Sequence, residues 1–139
     1  MKRTRYFAPA LLWALVILGL GSIPSPHLPA GPSLDKLAHF GMFAVLGALL
    51  AWGLYRARIA ASLAWPLLAG ILIGALDELH QRGVPGRSAD WQDLAADAFG
   101  CAIALWLTHR VLERRAERTD APAAADGTRF PNETREHRA

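Results

Sequence analysis

Residues 77–97 read DELHQRGVPGRSADWQDLAAD and separate two stretches that are otherwise almost wholly apolar. The stretch concentrates the polar and ionisable residues Asp77, Glu78, His80, Gln81, Arg82, Arg87, Asp90, Asp93 and Asp97. Ionisable groups are costly to remove from water, so a chain that keeps many of them beside apolar segments generally uses them. We therefore predict that this stretch forms a polar site at the end of a group of apolar helices.

Four apolar segments account for most of the remaining chain. Apolar residues make up 53% of the sequence and charged residues only 19%, and the charges are clustered rather than evenly spread. Each segment is close to the roughly 20 residues that cross a bilayer as a helix. We predict an all-α fold, an integral membrane four-helix bundle, with helices near residues 6–23, 35–54, 59–78 and 89–109.

The length of 139 residues suits one domain, which we assign to residues 1–115. Residues 116–139 lose the apolar pattern and predict a disordered cytoplasmic tail. The first segment follows the cationic start MKRTR and therefore also fits a signal peptide. It is longer than a usual signal core, however, and proline-rich residues 24–33 follow it, which favours a retained helix and then a stiff loop.

The placement of Lys and Arg predicts the orientation of these helices. Basic residues at the N-terminus, in the turn at 55–58 and after residue 109 all fall on one side of a four-helix weave. The positive-inside rule then places both termini in the cytoplasm. The polar motif loops, which comprise residues 77–93 and a shorter patch from Asp35 to His39, are expected on the outer face.

Two kinds of partner are not indicated by the sequence. The net charge is +3, but no basic stripe interleaved with aromatic residues is present, so we predict no nucleic-acid binding. The acids and histidines fit no strict metal-ligand spacing, so we assign no metal site and no cofactor. A divalent metal held by carboxylates and a histidine stays open as an alternative.

The spacing of the polar residues predicts that they meet. Residues four apart project from one face of a helix. This spacing occurs in the pairs Asp35–His39, Asp77–Gln81 and Asp93–Asp97. All three pairs lie at the outer ends of their predicted helices, so they share one depth in the membrane. Asp97 lies deepest, where it is either protonated or paired with a donor from another helix.

Arg87 has two interpretations that the sequence leaves open. A guanidinium after Pro-Gly suits a phosphate or carboxylate ligand. It can equally neutralise neighbouring acids and hold the helices together. Our candidates for ligand binding are Lys36, Arg87 and Gln81. Our candidates for acid–base catalysis are Glu78, His39 and Asp93, but no nucleophile is evident, so whether the protein is an enzyme stays undecided.

These residues resemble the motifs of the VanZ-like family, small bacterial membrane proteins named for a teicoplanin-resistance protein. A motif D-K-x-x-H-F is found as Asp35, Lys36, His39 and Phe40. A motif D-E-x-x-Q followed by P-G-R is found as Asp77, Glu78, Gln81, Pro85, Gly86 and Arg87. A motif D-x-x-x-N-x-x-G is similar to Asp93, Asp97 and Gly100, with Asp97 where the family usually carries Asn.

The resemblance implies a multi-pass protein of the bacterial inner membrane and cell envelope. Its expected partners are membrane lipids and a lipid-linked cell-wall precursor, and an oligomer stays open. Our leading hypothesis is recognition of an anionic lipid or precursor headgroup at the outer face, with a role in teicoplanin susceptibility. One alternative is a membrane enzyme acting on a lipid-linked substrate with Glu78 or His39 as acid or base. A further alternative is a structural or partner-binding subunit.

Overall fold

The computed structural model describes residues 3–24 and 32–125. A 3₁₀ turn, Thr4–Phe7, leads into α1 (Ala8–Gly21), and the chain continues through α2 (Pro32–Ala57), α3 (Ala64–Gln81) and α4 (Trp91–Ala125). Within these ranges no residue is in a β-strand, which confirms the prediction of an all-α fold with four helices. Most of the loop predicted at 24–33 lies outside the described residues.

Contacts between the helices bring four helix ends together. Gly21, the last residue of α1, lies against Asp77 near the end of α3. Near the start of α2, the backbone of Phe40 meets Gly100 of α4. Gly74 of α3 lies against Asp97 of α4. The C-terminal ends of α1 and α3 therefore lie beside the N-terminal ends of α2 and α4.

Small residues allow these helices to approach closely. A Cβ atom added to Gly47 would collide with the backbone of Cys101, so α2 and α4 are almost in backbone contact there. A Cβ atom at Gly70 would lie 2.5 Å from the Cys101 Sγ atom. The Gly70–Gly74 pair, whose spacing is typical of close helix packing, thus packs against α4 of the same chain.

Among the described residues, apolar side chains occur both in the buried core and on the exposed surface. The core is formed by Ala10, Ala14, Ile17, Phe43, Leu46, Leu50, Ala51, Cys101 and Leu105. Large apolar side chains that are more than half exposed include Leu11, Leu15, Trp65, Leu72, Leu79 and Phe99. Two helices, Thr4–Gly21 and Leu34–Ala57, are long and apolar enough to cross a membrane. The exposed apolar surface suits lipid rather than water as its surroundings.

α1 contributes directly to this core. Its residues Ala10, Ala14 and Ile17 are buried, and the Trp13 indole N–H donates to the Met42 carbonyl of α2 at 2.8 Å. α1 therefore packs against α2 as part of the core of the described residues.

α4 begins at Trp91 and extends beyond the helix predicted near residues 89–109. Asp90 caps its start, because the Asp90 side chain accepts the Gln92 N–H at 2.9 Å. At the other end α4 continues through Ala125. Charged helix formers and the i,i+4 pair His109–Glu113, at 3.1 Å, stabilise this extension. Residues 126–139 lie outside the described part of the chain.

Candidate functional site

A polar cluster occupies the region where the four helix ends meet. Its buried members are His39, Asp77, Glu78, Gln81, Asp93 and Asp97. They come from α2, α3 and α4 and are buried, while several large apolar residues at the same ends of these helices are exposed, namely Leu37, Leu76, Leu79 and Trp91. The interior at this end is therefore more polar than the surface, which indicates that these groups are kept for a use.

His39 and Asp97 form the centre of this cluster. The His39 Nδ1 atom lies 2.9 Å from the Asp97 Oδ1 atom, and both side chains are almost fully buried. The second oxygen of Asp97, Oδ2, has no hydrogen-bond partner among the described residues. Gly74 makes room for it, since a Cβ atom there would lie 2.9 Å away. Asp97 of α4 thus has a hydrogen-bonding partner on another helix, His39 of α2.

Asp77 and Gln81 form a second buried pair within α3. The Gln81 Nε2 atom donates to Asp77 Oδ2 at 2.7 Å. The other oxygen, Asp77 Oδ1, faces Gly21 of α1 and has no partner among the described residues. Gln81, a predicted ligand-binding residue, thus uses one of its amide donors within the cluster.

Glu78 connects the cluster to the loop that precedes α4. One of its oxygens accepts the Asp90 backbone N–H at 2.8 Å, and the other, Oε1, is buried without a partner in the described residues. Asp90 in turn accepts the Gln92 N–H, and this bond and the Lys36 ammonium hold the pKa of Asp90 below its usual range. Glu78 therefore helps to set where α4 begins.

Lys36 lies among carboxylates. Its ammonium is 2.9 Å from an oxygen of Asp90 and 2.9 Å from an oxygen of Asp93. The sequence motif placed Lys36 and Asp93 in one patch, and the structure brings them together. Two anionic partners already surround this ammonium, so it is less suited than a free cation to receive an anionic ligand.

Arg87 lies at the mouth of a small cavity. Its Nη2 atom is 3.6 Å from an Asp35 oxygen, a separation longer than a good hydrogen bond. The cavity has a volume of about 160 Å³ and lies between α1, α2 and α3. Its apolar lining includes Leu20, Ala38 and Met42, and its polar lining comes from Arg87, Gln81, His39 and the two carboxylates Asp35 and Asp77. An anionic group can displace the loose Asp35 contact and reach this arginine.

The remaining motif residues shape the backbone around the site. Pro85 and Gly86 belong to the turn after α3, where Gly86 has a φ of 77°, which a residue with a side chain rarely adopts. Phe40 and Gly100 form the close backbone contact between α2 and α4. A contact between residues that the sequence analysis did not single out together is that of the Ser22 Oγ atom, which lies 2.8 Å from His80 Nε2 and joins the end of α1 to α3. Nothing in the spacing of these two residues points to the contact.

The chemistry of the cluster is dominated by acids. Its carboxylates are Asp35, Asp77, Glu78, Asp90, Asp93 and Asp97, and its permanent cations among the described residues are Lys36 and Arg87. The His39–Asp97 contact can hold or move a proton, and the arginine end can bind an anion. These features define a helical, membrane-type protein with a polar site at one end.

The chain belongs to the VanZ/LLP1 family, whose model matches residues 4–112. This confirms the resemblance seen in the three motifs. The chain is also 32% identical over 116 residues to an uncharacterized protein of Schizosaccharomyces pombe, a match that covers 84% of this chain and 70% of the yeast protein. Because that relative is fungal, similarity alone does not assign the chain to bacteria. No solved structure matches the chain.

Proposed function

We propose that this VanZ/LLP1 family protein crosses the bacterial inner membrane four times and binds an anionic headgroup at its outer face. The headgroup belongs to a membrane lipid or to a lipid-linked cell-wall precursor, and its phosphate contacts Arg87. Both termini lie in the cytoplasm in this proposal. Two helices apolar enough to span a membrane, and apolar side chains that face outward from all four α-helices, support the membrane location.

The observation that carries the proposal is the position of Arg87. Its side chain is only 10% exposed, yet the one carboxylate that it contacts among the described residues, the half-exposed Asp35, is 3.6 Å away. By contrast, the Lys36 ammonium makes two contacts at 2.9 Å. A planar guanidinium with a weak partner at a cavity mouth suits a phosphate, to which it can donate two parallel hydrogen bonds.

The size and lining of the cavity favour part of a lipid rather than a whole soluble ligand. Pockets for drug-sized molecules generally exceed about 300 Å³, whereas this cavity has about 160 Å³. It therefore fits a headgroup phosphate and little more. Leu20 and Met42 line its apolar part, and the apolar helix surfaces outside it suit acyl chains. An amphipathic ligand matches both surroundings.

The distribution of charge supports the proposed orientation. The polar cluster lies at one end of the helices, and Arg56, Arg58 and His109 surround a separate cavity formed by the end of α2 and the middle of α4. The 3₁₀ turn before α1 also lies there, because the Tyr6 ring packs against Trp52 and beneath Arg56. The positive-inside rule assigns this basic end to the cytoplasm.

Lipid binding by the purified chain tests the proposal. We expect wild type in phosphatidylcholine nanodiscs to retain added phosphatidylglycerol, measured by native mass spectrometry. Arg87→Ala should weaken this binding by roughly tenfold or more, since a charge-assisted hydrogen bond contributes about 1.5–3 kcal/mol. Arg82→Ala is the matched control, because Arg82 is an exposed arginine next to the same turn. Equal retention by the wild type and Arg87→Ala would contradict the proposal.

A role in teicoplanin susceptibility belongs to the same proposal and needs its own test. A sensitive host would express the wild type, Glu78→Gln, Arg87→Ala or Asp93→Asn, with membrane abundance measured in parallel. We expect the wild type to lower susceptibility and the variants to lose this effect at normal abundance. A collapse of abundance in the variants would instead support a structural subunit, and an inactive wild type would refute the teicoplanin role in that host.

Acid–base catalysis on a lipid-linked substrate is the second candidate function. The specific observation in its favour is the His39–Asp97 contact, because a carboxylate that orients an imidazole is a recurrent arrangement in acid–base catalysis. Glu78 would be the other acid or base. Release of product from labelled lipid-linked precursor by the wild type, lost in Glu78→Gln, would distinguish this function from binding alone.

A further inference from the structure

Among the described residues, three buried carboxylate oxygens lack a hydrogen-bond partner, and two of them belong to Asp97 and Glu78. Asp97 Oδ2 and Glu78 Oε1 make no hydrogen bond among the described residues, although Asp97 is fully buried and Glu78 is 6% exposed. The other oxygen of each carboxylate is hydrogen-bonded, that of Asp97 to His39 and that of Glu78 to the Asp90 N–H. A buried acceptor without a donor is unfavourable and calls for an occupant.

The donor atoms of this region converge. One ring nitrogen of His39 and one carboxylate oxygen each of Glu78 and Asp97 lie within 4.8 Å of one another. Donors about 2.1 Å from a central metal ion are at most about 4.2 Å apart, so only small side-chain adjustments would bring all three onto one ion. An imidazole with two carboxylates is a donor set typical of Zn²⁺ and Mn²⁺.

A second group of donors, Asp35, His39 and Asp93, also lies within this distance. It is less suitable, because an Asp93 oxygen is already 2.9 Å from the Lys36 ammonium and Asp35 faces the Arg87 guanidinium. A metal ion there would be placed close to two cations. In the group of His39, Glu78 and Asp97, by contrast, the carboxylates have unused oxygens.

We propose that His39, Glu78 and Asp97 bind one divalent transition-metal ion between α2, α3 and α4. The ion would balance the charge of two buried carboxylates that have no Lys or Arg partner among the described residues. It would also fix three helices relative to one another, since each ligand comes from a different helix.

Metal binding by the purified full-length chain tests this site. The chain would be stripped with a chelator in detergent and titrated with Mn²⁺ or Zn²⁺ alone, with bound metal measured by mass spectrometry and the Tm by tryptophan fluorescence. We expect one ion per chain and a higher Tm in its presence. Glu78→Gln and Asp97→Asn should each weaken binding by about 100-fold or more, because even the loss of a group that only orients a ligand costs about 10–100-fold.

Asp77→Asn is the matched control for the loss of a buried acid. Asp77 is 1% exposed, has an oxygen without a partner among the described residues, and precedes Glu78 in α3, but it does not belong to the converging donors. This variant should bind the ion as the wild type does. If Asp77→Asn weakened metal binding as much as the ligand variants do, the effect would come from the loss of negative charge in general, and the proposed ligands would be wrong. Failure of both Mn²⁺ and Zn²⁺ to bind the wild type would overturn the site.

The experiments can refute the metal site and the lipid-binding proposal separately. Arg87 is not among the three ligands, so Arg87→Ala should bind the ion normally while losing phosphatidylglycerol. A wild type that binds phosphatidylglycerol but neither ion would refute the metal site alone.

Discussion

Gly100→Ala tests how the close contact between α2 and α4 supports the site. A Cβ atom at Gly100 would collide with the Phe40 carbonyl group and crowd the Ala44 backbone nitrogen. Both partners belong to helix backbone, which cannot move aside as a flexible side chain would. The two helices must therefore separate or shift, and overpacking of this kind costs about 1–3 kcal/mol.

The expected result is a lower Tm and a weaker His39–Asp97 contact. Taking about 4 °C per kcal/mol for a chain of this size, the Tm should fall by roughly 4–12 °C. His39 precedes Phe40 and Asp97 lies about one helical turn before Gly100, so separation of the helices acts directly on their 2.9 Å contact. Tryptophan fluorescence during heating in detergent measures the Tm, and metal titration reports on the site.

Gly41→Ala is the internal control for this prediction. Gly41 is in α2, next to Phe40, but a Cβ atom there would meet nothing within 4 Å. Replacing an exposed helical glycine by alanine should leave the Tm unchanged or raise it by up to about 4 °C, since alanine favours the helix by about 1 kcal/mol. If Gly100→Ala matched the wild type, the close approach of α2 and α4 would be refuted.

Three further predictions concern single contacts. Trp13→Phe removes the indole donor to the Met42 carbonyl and should lower the free energy of unfolding by about 0.5–1.5 kcal/mol, measured by denaturant titration; no change would argue against packing of α1 on α2. Lys36→Met leaves the buried Asp93 without its cation and should lower the Tm, whereas Lys36→Arg should restore most of it. Asp90→Asn should lower the Tm at neutral pH, and because the folded-state pKa of Asp90 is lowered, this difference should shrink as the pH falls below about 4, the ordinary aspartate pKa. A difference that persists unchanged at pH 3 would contradict the charge-based explanation of the Asp90 effect.

Much of the helical framework follows from the sequence. Long apolar segments bounded by charged turns predict helices, because apolar length and the position of charges are local properties. Spacing four residues apart likewise predicts which residues share a helix face, as for Asp77 and Gln81, which are hydrogen-bonded. These predictions depend only on the geometry of a single helix.

Contacts between helices do not follow from local spacing. The pairing of His39 with Asp97, and of Lys36 with both Asp90 and Asp93, depends on the relative height of α2 and α4, which close glycine contacts determine. The cap of α4 also depends on tertiary structure, because Glu78 accepts the Asp90 N–H and so helps to start the helix at Trp91.

The Glu78 carboxylate links the buried polar cluster to the loop at the protein surface. One oxygen of this carboxylate holds the backbone of the loop before α4, and the other faces the buried cluster. Any ion or proton that draws charge toward the inner oxygen weakens the outer one as an acceptor. Trypsin should then cleave the exposed turn at Arg82 faster when an ion or proton is bound in the buried cluster. The cleavage rate at the surface would thus report on the occupancy of a site that the protease cannot reach.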